Sequence, residues 1–441
     1  MMEQQTKEIY IFDFDGTLFK KNAIGTLIKF MFAYYGIVRF ILWYCLLWLK
    51  SPYIIFLHKH DSTKFNRYLY SFYKGVRRQD FVNITNKVII PYYRDNLYLA
   101  GLMRFNDSGL IFIVSAGIDV FLYPFFHRLD ISEQNIYCNK LEFDTNEVCT
   151  GQISGSIVDY EYKAVCVNQI KSNLKLKFPN DNLYYNVFGD SKWDLPMLKL
   201  ADKAIVVNPS KKLSKLIIQN ISNYTFEFFD ICPFGHSAIG YFINKQIFSR
   251  VFVKHIFGDK IVADLNNGSP GIILSNHQSY LDHFCLSRIT NSDNYCFLGK
   301  IEHFQGGLSK WYHCLARCIP IDRNSKETSR PSFQIASLAI KLGLNVILYP
   351  EGTRTSDGNL HEFRYGFINI LRYIGKPMNI TCVTINDTYK LLPKGKIFFN
   401  PLRSNVSVTV FKPFIADPTT HPTEIVAKCY NIINSGLEVK N

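Results

Sequence analysis

Four short apolar runs in the first half of the chain stop abruptly at polar residues: "IYIFDFDGT" (9–17), "LIFIVSAG" (110–117), "YYNVFGDS" (184–191) and "AIVVNPS" (204–210). Each has the length of a strand, and helix-like stretches such as "EYKAVCVNQIKSNLK" lie between them. Strand alternating with helix predicts a parallel sheet, whose ligands gather beyond the carboxyl ends of the strands. The polar residues closing each run are therefore expected to share one site. A second series, "GIILSNH", "NYCFLGK", "NVILYPEG" and "MNITCVTIN", repeats the pattern further on. The predicted fold class is α/β in two domains, 1–225 and 226–441. The boundary falls in "NYTFEFFDICPFGHSA" (223–238), where Pro and Gly follow the last strand-helix unit. At 441 residues the chain exceeds the usual size of one hydrophobic core.

The first run carries two acids one residue apart, Asp13 and Asp15, followed by Gly and Thr. Read as a strand, it points both carboxylates to one side, with Phe12 and Phe14 on the other. Like charges about 4 Å apart cost roughly 4 kcal/mol at an effective dielectric near 20, so the pair calls for a divalent cation, a shared proton or open water. Asp13 is placed to attack a phosphorus atom, and Asp15 to protonate the leaving oxygen and then activate water. Asp190 and Asp194 in "GDSKWD" offer the oxygen ligands that Mg²⁺ prefers. Ser115 and the Gly117 backbone are candidates to hold phosphate oxygens, and Lys163 to neutralise them, with Lys171 nearby as its competitor.

The formal charge of +14 implies an anionic partner. No nucleic-acid motif or concentrated basic run is present, so a lipid surface or phosphorylated substrate is expected. Eleven cysteines form no CxxC pair, which fits reduced, buried thiols. The polar start "MMEQQTKEIY" leads straight into the first strand, without room for a signal peptide. Residues 24–58 are apolar and aromatic but are interrupted by Lys29, Arg39 and Lys50. Uncharged runs near ten residues are short for a bilayer crossing, and Trp43, Tyr44 and Trp48 beside basic residues suit a membrane interface. A helical hairpin buried against its own domain is the second reading, and a true span the third. The expected location is the cytoplasmic face of a membrane.

Residues 8 to about 215 resemble the haloacid dehalogenase superfamily of phosphatases: "DFDGT", "VSAG", Lys163 and "GDSKWD" look like its four motifs in order. The insertion between Asp15 and Ser115, with a cap at about 20–100, resembles the helical cap of the phosphoserine-phosphatase-like branch. Its aromatic part is similar to that of membrane-bound phosphatases acting on phospholipid precursors. The resemblance implies a Rossmann-like domain in which Asp13 is nucleophile and Asp15 acid/base. It also implies Mg²⁺ held by Asp190, Asp13 and the Asp15 carbonyl, in a metal cluster of Asp13, Asp15, Asp190 and Asp194.

In the second half, "SNHQSYLDHF" sets His277 five residues before Asp282. A straight helix would hold these side chains about 140° apart, so they meet only across a turn or an irregular helix start. If they meet, the carboxylate fixes the imidazole tautomer and His277 can take a proton from an attacking alcohol. Arg323 in "IPIDR" and Glu351, Gly352, Thr353 and Arg354 in "YPEGTRT" supply a glycine turn and two arginines suited to a phosphate monoester. With "KIEHF" (300–304), these segments resemble the 1-acylglycerol-3-phosphate acyltransferase family over about 245–425. The resemblance implies acyl transfer from acyl-CoA or acyl carrier protein to lysophosphatidate, with Arg323 and the 351–354 segment binding its phosphate. Two alternatives stay open: glycerol 3-phosphate as acceptor, and a silent phosphatase domain serving as membrane anchor or interaction module.

Overall fold

The computed structural model describes residues 6–98, 109–227, 253–258, 262, 268–290, 294–305, 313, 317–395 and 405–438. The chain divides into two compact units, Met1–Cys232 and Pro233–Asn441. Both are α/β, as the alternating runs predict. Most of the segment joining them, 228–252, lies outside the described residues.

Among the described residues the first unit is built on seven strands, β1 (Thr6–Phe12), β2 (Leu110–Ile118), β3 (Ile136–Phe143), β4 (Cys149–Ser154), β5 (Asn182–Gly189), β6 (Lys203–Val207) and β7 (Tyr224–Glu227), in the order β4-β3-β2-β1-β5-β6-β7. All neighbours are parallel except β3 and β4. The sequence steps outward from β1 in both directions, so the carboxyl ends of β1, β2 and β5 border a switch point, where such sheets open a crevice. Strand β1 is buried along Ile9–Phe12 on both faces and therefore does not alternate. It ends at Phe12, so Asp13 and Asp15 stand on the loop beyond it rather than on one side of a strand. β2 runs past Ser115 to Ile118 with a register shift, so Ser115 lies within the strand. β7 pairs with β6, which carries the first sheet beyond residue 225.

Between Asp15 and β2 the chain forms the cap: α1 (Ala23–Leu49), α2 (Ser51–His60), α3 (Ser62–Ser71) and shorter helices to Arg94. Its interior is aromatic, with Phe30 packed against Tyr73, Phe81 and Phe121.

Among the described residues the second unit has eight strands: β8 (Val253–Phe257), β9 (Ile272–Ser275), β10 (Tyr295–Lys300), β11 (Cys318–Ile321), β12 (Asn345–Leu348), β13 (Met378–Asn386), β14 (Val406–Val410) and β15 (Phe414–Ala416). The order is β11-β10-β12-β9-β13-β14-β8, with β15 against β13. The β11 to β13 part is parallel, and β13 turns antiparallel to β14 and β15. Strands β9 and β12 are neighbours, which brings the loops after them, 276–282 and 349–355, to the same edge.

Candidate functional site

Each unit gathers chemistry at strand ends. In the first, the Asp13 N–H donates to the Phe188 carbonyl at 3.0 Å and so fixes the acid beside β5. Gly16 has φ +87°, and a Cβ there would meet the Asp190 carboxylate at 2.1 Å, so only glycine lets the two loops approach. Lys163, in the helix Tyr160–Lys177, donates from Nζ to Asp13 at 2.7 Å and to Asp194 at 2.6 Å, all three buried. Lys171 instead donates to the Leu200 carbonyl. Asp194 uses its other oxygen to accept from the Ser191 N–H and hydroxyl, capping the short helix at Lys192–Asp194.

The electrostatics follow from burial. Desolvation, opposed by Lys163 and reinforced by Asp194, pushes the Asp13 carboxyl up to about 6. Desolvation and the charge of Asp13 push Asp15 up to about 8. Asp190 is also driven well up, by burial first and then by Asp194 and Asp13. Carboxylate oxygens of Asp13, Asp190 and Asp194 lie within 4.8 Å of one another. Three acids facing one lysine leave excess negative charge, and a set of hard oxygen donors fits a divalent cation such as Mg²⁺. Asp15 is not in that cluster. Ser115 is buried, and its hydroxyl accepts the Gly117 N–H at 3.0 Å.

In the second unit, His277 follows β9 and Asp282 opens the helix Asp282–Ile289. The pair meets across the intervening turn, His277 Nδ1 to Asp282 Oδ2 at 2.8 Å. That same oxygen accepts the N–H groups of Gln278 (2.6 Å) and Ser279 (2.9 Å), and Oδ1 accepts the Thr388 hydroxyl at 2.6 Å. An oxygen already accepting from two amides takes the Nδ1 proton as well, which leaves Nε2 as the basic nitrogen. Tyr349 stacks on the imidazole, centroids 4.0 Å apart and planes within 10°. Asn276 clasps Ile385 of β13 through both main-chain groups, at 2.7 and 2.8 Å.

Arg323 donates to the Gly352 carbonyl. The Arg354 guanidinium lies 3.5 Å over the Tyr280 ring, and its buried Nη1 has no hydrogen-bond partner among the described residues. Together with Thr353, Lys300 and Lys394 these side chains border a cavity of about 230 Å³ that His277 also lines. Lys394 reaches the Arg354 carbonyl at 3.2 Å.

Glu351, a substrate ligand on the sequence reading, is buried and turned away from that cavity's lining. Its two oxygens accept the main-chain N–H groups of His277 (2.6 Å) and His361 (2.9 Å). Burial, partly offset by those amides, raises its carboxyl from 4.5 to about 7. The folded chain then holds a proton that the unfolded chain releases. This group's stabilisation is therefore full below pH 4.5 and lost as pH rises through about 7. In urea unfolding of the full chain, the wild type should lose about 3 kcal/mol relative to Glu351→Gln across that window. A stability difference that does not change with pH would contradict this.

Sequence reasoning missed Tyr349, Thr388, Asn276 and Lys394. Tyr349 opens the quoted "YPEGTRT" but was passed over there, whereas Thr388 carries no local signal: it lies 106 residues from Asp282 in the chain.

Comparison with known proteins gives two matches along the chain. Residues 10–199 match the haloacid dehalogenase-like hydrolase family, and residues 259–386 the family described as Acyltransferase. A chloroplastic 1-acyl-sn-glycerol-3-phosphate acyltransferase of Brassica napus is 29% identical over 130 residues, covering 30% of this chain and 37% of the relative. A 2-hydroxy-3-keto-5-methylthiopentenyl-1-phosphate phosphatase of Bacillus thuringiensis is 35% identical over 104 residues, covering 22% of this chain and 43% of the relative. The crystal structure of a 1-acyl-sn-glycerophosphate acyltransferase from Thermotoga maritima has 22% identity and a TM-score of 0.38, covering 45% of this chain and 77% of that one. The chain spans less than half the length of the curated relatives it matches.

Proposed function

Because the chain joins a haloacid dehalogenase-like hydrolase domain to an acyltransferase domain, we propose that it is a two-site lipid enzyme. The second unit transfers an acyl group from acyl-CoA or acyl carrier protein to 1-acylglycerol-3-phosphate, giving phosphatidate. The first hydrolyses a phosphate ester on a lipid of the same membrane. The observation that carries the reading is the His277–Asp282 pair at 2.8 Å beside a cavity bordered by Arg323, Arg354 and Lys394. A base with a fixed tautomer and a cationic mouth suit an acceptor that has both a hydroxyl and a phosphate.

In acyl transfer, His277 Nε2 takes the proton of the acceptor hydroxyl as its oxygen attacks the thioester carbonyl. The C–O bond forms, the C–S bond breaks, and His277 returns the proton to the departing sulfur. Asp282 holds the ring and offsets the charge of the imidazolium. Glu351 is a positioning residue, since it grips the main chain of His277 and touches no cavity wall.

In phosphate hydrolysis, an Asp13 oxygen attacks phosphorus and the ester P–O bond breaks. Asp15, kept protonated near neutrality by burial, gives its proton to the leaving oxygen. Asp15 then takes a proton from the water that attacks the aspartyl phosphate, freeing Asp13 and phosphate. Lys163 and the Ser115–Gly117 segment at the end of β2 would face the phosphoryl oxygens. Asp13 and Asp190 are the residues that would hold Mg²⁺, with Asp194 behind them occupied by Lys163 and Ser191. Bound there, the cation draws charge from the phosphoryl oxygens and lowers the repulsion met by the incoming carboxylate.

Thr388→Val removes the hydroxyl that satisfies Asp282 Oδ1. Losing a hydrogen bond to a buried carboxylate costs about 1–3 kcal/mol. Acyl transfer should fall roughly tenfold or more, and phosphate release should not change. To test the acceptor, lysophosphatidate and glycerol 3-phosphate are each offered in mixed micelles with labelled acyl-CoA or acyl carrier protein. Label in phosphatidate is expected, and preferential acylation of glycerol 3-phosphate would overturn the assignment.

A further inference from the structure

The loop 349–355 grips His277 in more than one way. Glu351 accepts the His277 N–H, the Thr355 N–H donates to the His277 carbonyl at 2.9 Å, and Tyr349 lies flat against the imidazole, centroids 4.0 Å apart and planes within 10°. The first two contacts fix the backbone, and the third acts on the side chain. Register puts the ring there. Leu348 of β12 pairs with Leu274 of β9, so Tyr349 and His277 leave neighbouring strand ends. Pro350 follows and disfavours helical backbone at Tyr349. The Gly352 N–H closes the turn onto the Tyr349 carbonyl at 3.1 Å, and the phenol ring is seated against the core that contains Ile273, Leu281 and Ile347.

Asp282 meets the imidazole at one atom, Nδ1. A single hydrogen bond lets a ring tilt about it, and a rigid flat surface on the ring face removes that freedom. The stack has a second consequence. When Nε2 takes the proton of the acceptor hydroxyl, the imidazole becomes a cation lying on the negative face of the phenol ring. That attraction grows as the charge develops, so it lowers the barrier and leaves substrate binding unchanged.

We propose that Tyr349 is a positioning residue for acyl transfer: its ring holds the His277 imidazole with Nε2 aimed at the acceptor and supports the positive charge that forms there. The inference rests on the acyl-transfer reading of the second unit. Tyr349 also borders the cavity, so the rival role is a wall for the acceptor.

The test compares the full-length wild type with Tyr349→Leu, Tyr349→Phe and pentafluorophenylalanine introduced at position 349, using lysophosphatidate and labelled acyl-CoA or acyl carrier protein. Leucine fills much of the space but has no flat face, so kcat should fall about tenfold or more while KM stays within about threefold of wild type. Tyr349→Phe should recover most of that rate. Fluorination reverses the charge of the ring face at nearly constant shape, so that variant should turn over about fivefold or more slower than Tyr349→Phe. The comparison of these two rings stands even where Tyr349→Leu fails to fold. A Tyr349→Leu kcat within about twofold of wild type, a rise in KM in place of the fall in kcat, or a fluorinated ring as fast as phenylalanine each overturns the proposal. Carbon-13 relaxation of labelled histidines, with His277 identified by its loss in His277→Ala, should show a rigid imidazole in wild type and Tyr349→Phe and a mobile one in Tyr349→Leu. Equal mobility in all three overturns it too. If wild type transfers no acyl group from either donor, the acyl-transfer reading falls, and the relaxation result alone decides whether Tyr349 holds the ring.

Discussion

Asp13→Asn is expected to lower phosphate release by about 10⁴-fold or more while acyl transfer stays within about twofold of wild type. The amide has nearly the shape of the carboxylate but cannot attack phosphorus. Asp13 sits with Asp190 and Asp194 around the single ammonium of Lys163, at 2.7 Å from it. Removing one negative charge from that group relieves repulsion, so the variant should melt at or above the wild-type temperature. An activity loss therefore cannot be attributed to unfolding. A residual phosphatase rate within tenfold of wild type would remove Asp13 as nucleophile.

His277→Ala is expected to lower kcat for acyl transfer by about 10³-fold or more, with the KM for lysophosphatidate changed by less than about threefold. The imidazole borders the cavity, while the cations proposed to bind the phosphate are other residues, so binding should survive the loss of the base. Asp282→Asn makes a finer test. Its retained oxygen still accepts from His277 Nδ1 and from the two amides, and its new amide group faces the Thr388 hydroxyl, which can accept as well as donate. The fold is therefore preserved, but the charge that offsets the imidazolium is gone. Acyl transfer should fall about 10²–10⁴-fold. A large rise in KM in His277→Ala would place the ring in acceptor binding instead.

The candidate residues Asp13, Ser115, Asp190 and His277 were legible because each lies at or just past the end of an apolar run, and strand order alone brings such ends together. Asp13, Asp190 and Asp194 cluster on that basis, and the expected turn between His277 and Asp282 is present. What the sequence hid was cross-chain support. Glu351 reads as a ligand because it is charged and sits beside Gly352, yet its partners are main-chain amides, which leave no trace in side-chain identity. Thr388 reaches Asp282 only because β9 and β13 are neighbours. The alternation expected through Asp13 and Asp15 does not hold because β1 ends at Phe12, and both acids stand on the loop beyond it. The apolar stretch at 24–58 was expected to meet a membrane interface. The break at Gly36 within it is a backbone torsion that composition does not reveal.

The central claim is that one chain carries two independent working sites. It is tested most directly by incubating the full-length protein with lysophosphatidate, labelled acyl-CoA or acyl carrier protein, a phosphorylated lipid and Mg²⁺, while acylated lipid and free phosphate are followed together. Wild type should yield both. His277→Ala should lose only the acylated lipid and Asp13→Asn only the phosphate. Loss of both products in either variant, or no acylated lipid from wild type with either donor, would contradict the account.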